Sequence, residues 1–154
     1  MIEETVMHEY VVKVSWEPQA EPYKRMGTLS SEGLPSLTVV TPPQFKFGIP
    51  NNWSPEHLFT ASVSVCIWGT FLAVAQASKL EIGPCYVETT GTLDDVDVGG
   101  QKQPQITTIH HKFHVKLKNP AEKDKAKKIL EKSERNCIIA NSMKAKVTAE
   151  LIID

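Results

Sequence analysis

The sequence predicts an α+β fold with the element order βββ-α-ββ-α-β. Three observations carry this reading. The stretch from Asn52 to Lys79 is long and apolar enough to be a central, mostly buried helix. On both sides of it lie segments in which apolar and polar residues alternate, the period of a strand. Strands and helices do not alternate one for one, as a wholly parallel sheet would require. At 154 residues the chain reads as one domain, 1–154, large enough to bury a real core.

Each element has its own signal. His8 to Trp16 alternates and is rich in Val, Tyr and Trp, so it reads as a first strand. Glu17 to Pro22 holds two prolines and reads as a turn. Tyr23 to Ser31 is a second strand, Glu32-Gly33 a turn, and Pro35 to Thr41 a third strand, giving an antiparallel meander. Pro42 to Asn52, with three prolines, is an irregular approach to the helix. Ser54 suits the N-cap, Pro55 the first helical position, and Glu56 the positive end of the helix dipole. Gly83-Pro84 is expected to break the chain after the helix. Cys85 to Leu93 and Gln105 to Leu117 then form a hairpin, with Asp94 to Pro104 as its polar loop. Asn119, Pro120 and Glu122 open a charged second helix through Arg135, with a narrow apolar stripe of Ala126, Ile129 and Leu130. A short helical turn over 136–142 and a last strand from Ala145 to Ile153 complete the order.

Composition excludes several classes. Lys plus Arg number 17 and Asp plus Glu 18, a near balance that argues against nucleic-acid binding. The acidic N-terminus shows no secretory signal. Thr60, Ser62, Ser64, Thr70 and Gln76 interrupt the central helix, and no Lys or Arg cluster flanks it. A soluble cytoplasmic domain is therefore expected, not a membrane span. His110 and His114 share one strand face about 13 Å apart while His111 points the other way, so these three cannot close on one ion. The acidic run Asp94, Asp95, Asp97 lacks the glutamate of a calcium loop, because the twelfth position from Asp95 is Ile106. No glycine-rich phosphate loop and no GxSxG or HExxH motif occurs.

The chemistry rests on the cysteines. Cys66, Cys85 and Cys137 are odd in number and lack zinc or CxxC spacing. In a reducing compartment they are either buried small hydrophobes or reactive thiols. Cys66 lies mid-helix, where a helix N-terminus gives it no help, so a lowered pKa would need a nearby cation. Glu56 stands ten residues before it, about 15 Å away along one helix. It cannot serve the Cys66 of its own helix, but it can serve that of an antiparallel second copy. The apolar surface of the helix also calls for cover, and both points favour an isologous dimer.

These residues resemble the OsmC/Ohr family, the osmotically inducible and organic hydroperoxide resistance proteins. The resemblance lies in Ser54-Pro55-Glu56-His57-Leu58-Phe59 leading into Ala61-Ser62-Val63-Ser64-Val65-Cys66, and in Cys137-Ile138-Ile139-Ala140-Asn141-Ser142 before the last strand. It implies an OsmC-like fold, with antiparallel sheets around a buried helix in an interwoven homodimer and active sites at the subunit interface. It implies a thiol peroxidase for organic hydroperoxides, with hydrogen peroxide a further substrate, needing no metal or organic cofactor. Carried over by position, Cys66 is the peroxidatic cysteine and Cys137 the resolving one. Arg25, in Arg-x-Gly-x-x-x-Ser, resembles the arginine that stabilises the thiolate, and Glu56 its acidic partner. The reductant would be a dithiol, lipoyl-linked or thioredoxin-like. Ile138 stands where many members carry proline, and the Gly-rich approach to Pro-Glu is thinned to Gly48-Ile49-Pro50-Asn51-Asn52-Trp53, which points to a divergent OsmC-like member. Two alternatives stay open: a non-catalytic dimer binding a hydrophobic small molecule, and a thiol redox sensor.

Overall fold

A computed structural model describes residues 6–18, 21 and 24–154. The start expected for the second strand, Tyr23, and part of the expected Glu17–Pro22 turn lie outside the described residues. The chain divides into two compact units, Met1–Pro55 and Glu56–Asp154.

The first unit is a three-stranded antiparallel sheet in the order β1 (Lys13–Ser15), β2 (Met26–Ser30), β3 (Leu37–Val40). The meander is as expected, but β1 is three residues long instead of nine. Residues 6–12 are exposed and pair with no strand among the described residues. Alternation therefore exceeds what this sheet uses. The loop after β3 is tightly wound. A side chain at Gly48 would run into the Pro42 carbonyl, and Phe47 and Asn51 adopt left-handed backbone with φ of 62° and 64°. The Val40 N–H donates to the Trp53 carbonyl at 2.9 Å and closes the loop.

The second unit is built on α1 (Pro55–Ala77), which starts where the Ser54-Pro55 signal put it. Its end is a Schellman cap. The Leu80 N–H reaches the Ala75 carbonyl at 2.9 Å and the Lys79 N–H the Gln76 carbonyl at 3.1 Å, with Lys79 left-handed at φ 56°. Val63, Ile67, Phe71 and Ala75 form one buried stripe at four-residue spacing. The expectation of a helix enclosed nearly all round does not hold within one chain, where Phe59, Val65 and Trp68 are exposed. Its length and composition would suffice to cross a membrane. The stripe instead packs into a core with Ile109, Phe113, Val115, Leu117, Ala126, Ile129 and Leu130. The Phe71 and Phe113 rings lie 4.2 Å apart.

The core strands are β4 (Ile82–Val98), β5 (Gln101–Leu117) and β6 (Lys146–Ile153), with β5 in the middle. Three expectations are corrected here. Gly83-Pro84 does not end the strand. β4 is an edge strand, where a proline costs no ladder bond, and a register shift between Ile82 and Cys85 absorbs it. Asp94 to Pro104 is not a loop, because pairing continues to Val98↔Gln101. The turn is the two residues Gly99-Gly100, with φ of 60° and 84°, the left-handed pair that a tight hairpin demands. Finally, β6 runs parallel to β5, so this sheet is mixed. The connection that makes it parallel is η1 (Pro120–Glu122), α2 (Lys123–Asn136) and α3 (Ile138–Asn141).

Asn119 caps that connection by accepting from the Ala121 N–H at 3.1 Å. Glu122, expected to close a capping box, pairs with Lys125 at 3.4 Å. Ala126, Ile129 and Leu130 are buried as expected, and Ser133 joins them by donating to the Ile129 carbonyl at 2.7 Å. Gly91 admits the start of α1 to the sheet, since a Cβ there would meet the Thr60 hydroxyl.

Candidate functional site

Two elements bring two thiols together. Cys66 lies just off the buried stripe of α1, and Cys137 lies fully buried at the junction of α2 and α3. Both are free thiols, and their side chains interact directly.

Their surroundings pull the pair apart in acidity. Burial raises the Cys66 thiol, but the Ile139 N–H, the Cys137 thiol, the Thr70 hydroxyl and the Ile138 N–H favour its anion and leave it below the ordinary thiol value. Thr70 Oγ1 lies 2.8 Å from the Cys66 carbonyl, so its one hydroxyl proton serves either that carbonyl or the thiolate. Cys137 moves the other way. Burial raises it, the Ala140 N–H opposes that, and the nearby Cys66 adds to the rise. The first proton therefore leaves Cys66, and Cys137 stays a thiol beside it. An anionic sulfur next to a neutral one can attack an electrophile and then be captured by its neighbour.

Each remaining expected site residue is placed within its own unit. Glu56 sits in the first turn of α1, ten residues before Cys66, and its Oε2 is buried without a hydrogen-bond partner. Arg25 is exposed in the first unit, just before β2, and its carbonyl accepts from the Thr41 N–H at 3.2 Å. Cys85 is half-buried on β4, and burial raises its thiol. It lines a groove of about 280 Å³ with Ser64, Val65, Trp68, Tyr86 and Val87.

Sequence reasoning missed three contributors. Thr70 is one turn beyond Cys66, a spacing that would have exposed it. The amides of Ile138 and Ile139 carry no side-chain signature. The third is His111, taken only as a residue opposite its neighbours. It is fully buried, with Nδ1 2.7 Å from Thr89 Oγ1, and Thr89 donates to Ser64 Oγ at 2.8 Å. Burial first, and then His110, push its pKa down to about 4, so it is neutral at physiological pH. His110 and His114 line the outer face, where they meet Glu150 at 3.4 Å and Asp154 at 3.3 Å. Among the described residues, no three His, Cys, Asp or Glu side chains converge as metal ligands.

A family model described as OsmC-like protein matches residues 48–152, the span that holds α1 and both thiols. The chain belongs to the OsmC-like family. Solved structures agree with this at the level of fold. An OsmC-like protein of unknown function from Vibrio cholerae superposes with a TM-score of 0.84 at 20% identity, over 95% of this chain and 100% of that one. An organic hydroperoxide resistance protein from Elizabethkingia anophelis gives 0.70 at 16% identity, over 97% and 98%. One from Bacillus subtilis gives 0.62 at 18% identity, over 96% and 98%. No curated protein matches the chain. This OsmC-like chain thus has the family's α+β architecture, with two three-stranded sheets.

Proposed function

We propose that this OsmC-like protein is a cysteine-based peroxidase that reduces organic hydroperoxides in a reducing, cytoplasmic compartment. The observation that carries the reading is the opposed acidity of two thiols in contact, Cys66 lowered and Cys137 raised. In the first step the Cys66 thiolate attacks the terminal oxygen of the hydroperoxide. The O–O bond breaks, the alkoxide leaves and takes a proton to become an alcohol, and Cys66 becomes a sulfenic acid. In the second, the Cys137 sulfur attacks the sulfenic sulfur, water leaves, and a Cys66–Cys137 disulfide forms. An external dithiol, lipoyl-linked or thioredoxin-like, returns both thiols and is itself oxidised to a disulfide. Relatives described as organic hydroperoxide resistance proteins support the substrate class.

The working unit is a homodimer. Val65 and Trp68 leave an apolar strip exposed on the flank of α1 away from its buried stripe, and the buried Glu56 Oε2 lacks a partner among the described residues. A second copy would cover the strip and bring its own Glu56 to the interface, with Arg25 the arginine that the family resemblance pairs with it. Val65→Asp is expected to convert the protein to monomers, read by sedimentation equilibrium. A monomeric wild type would overturn the dimer.

The deciding test is intact mass and peptide mapping after one equivalent of an organic hydroperoxide. The expected product has lost about two mass units, mapped to a Cys66–Cys137 disulfide and absent in Cys66→Ser. An unchanged mass, with both thiols slow to alkylate, would sink the peroxidase and favour a dimer that binds a hydrophobic molecule in the groove beside Trp68.

A further inference from the structure

A fully buried histidine without an obvious duty sits at the centre of the core sheet. Among the described residues, His111 Nε2 has no hydrogen-bond partner. An apolar side chain would fill the same place without leaving a polar atom unsatisfied. Stability alone therefore does not account for His111. Its other nitrogen joins a chain that crosses three elements, from His111 Nδ1 on β5 to Thr89 Oγ1 on β4 to Ser64 Oγ on α1, with steps of 2.7 and 2.8 Å.

Where that chain lands on α1 is informative. At 3.6 residues per turn, Ser64 and Cys66 are separated by about 200° around the helix axis. They therefore flank the buried Val63–Ile67–Phe71–Ala75 stripe on opposite sides. Ser64 leans toward β4, and Cys66 toward the Ile138 and Ile139 amides that favour its thiolate. The stripe between them is held by apolar packing, which has no direction of its own. A turn of α1 by roughly 20° would slide side-chain atoms some 5 Å from its axis by about 1.7 Å. That would cost little apolar burial, but it exceeds what a hydrogen bond tolerates. A directional contact on the far flank is what fixes the rotation.

We propose that Ser64, Thr89 and His111 are positioning residues that lock the rotation of α1 and so hold the Cys66 sulfur against the Ile138–Ile139 amides. The proposal rests on the reading of Cys66 as the attacking thiolate.

The test is the pH dependence of Cys66 alkylation by iodoacetamide, read by peptide mapping on the full-length protein. Thr89→Val removes the hydroxyl that both neighbours use, and Ser64→Ala cuts the chain at the helix without disturbing the sheet. Both are expected to raise the Cys66 midpoint by about one pH unit. Thr89→Ser and His111→Asn keep a polar group in the chain and are expected to retain the wild-type midpoint. Ile129→Val lowers stability elsewhere in the core and serves as the control, with its midpoint unmoved. A low wild-type midpoint that survives both Thr89→Val and Ser64→Ala would overturn the clamp and leave the peroxidase standing. Equal shifts in Thr89→Val and Ile129→Val would also overturn it, because any loosening of the core would then suffice. A wild-type Cys66 that titrates as an ordinary thiol would remove the peroxidase reading and the clamp with it.

Discussion

Replacing Cys66 by serine is expected to reduce hydroperoxide consumption by on the order of 10³-fold or more, since burial raises the two remaining thiols, Cys85 and Cys137, and disfavours their thiolates. Replacing Cys137 should do something different. Its thiol is held protonated by burial, so it contributes nothing to the first attack. Cys137→Ser should still consume one equivalent of hydroperoxide, measured by peroxide loss in a single turnover. The product should then be heavier by about 16 mass units, the mark of a sulfenic acid with nothing to condense with. Turnover with a dithiol should fall sharply, because the sulfenic acid is left open to further oxidation. The first-step rate should rise with pH and level off at a midpoint below that of an ordinary thiol, since Cys66 is lowered. The two variants separate the roles. If Cys137→Ser lost the first step as completely as Cys66→Ser, the assignment of nucleophile and partner would be wrong.

The parts of this arrangement that were legible in the sequence are those written in local chemistry. Ser54-Pro55 marked the start of α1 to the residue, and Asn119-Pro120 did the same for the connection to β6. Apolar steps of three and four residues along α1 include the buried Val63, Ile67, Phe71 and Ala75, but they also take in the exposed Phe59. What failed was long-range. Gly83-Pro84 is turn chemistry anywhere except on an edge strand, and nothing local says that β4 is an edge. The Gly99-Gly100 pair was read as part of a long polar loop because the flanking residues are charged. Pairing along a hairpin overrides that polarity. The parallel direction of β6 follows from a helical crossover, which periodicity does not encode. The site divides in the same way. The two cysteines stand out by residue type, whereas the amides of Ile138 and Ile139 belong to the backbone. Alternation turned His111 away from His110 and His114, but nothing local said that its face is the buried one.

That buried histidine also sets how the protein responds to acid. In the folded chain His111 is held neutral, with a pKa pushed down to about 4, chiefly by burial and secondarily by His110. In the unfolded chain it returns to the ordinary value of 6.5. Between these values the unfolded state binds a proton that the folded state refuses, so stability rises with pH across the window. The contribution is intact above pH 6.5. It drains away as pH falls, and below pH 4 about 3 kcal/mol has gone. That is a large share of the total for a domain of this size. Carboxylates titrate over the lower part of the same range, so the wild-type curve alone does not isolate the histidine. The difference between wild type and His111→Asn does, since the variant lacks the ionisable ring. Urea unfolding at a series of pH values from 7.5 to 4 is the measurement. The wild type is expected to lose about 3 kcal/mol more than His111→Asn across the window, mostly as a fall in midpoint at constant slope. Parallel curves for the two proteins would mean that the folded state accepts the proton, and that His111 is wetter than its full burial implies. A larger loss in His111→Asn would overturn the assignment of this acid response to His111.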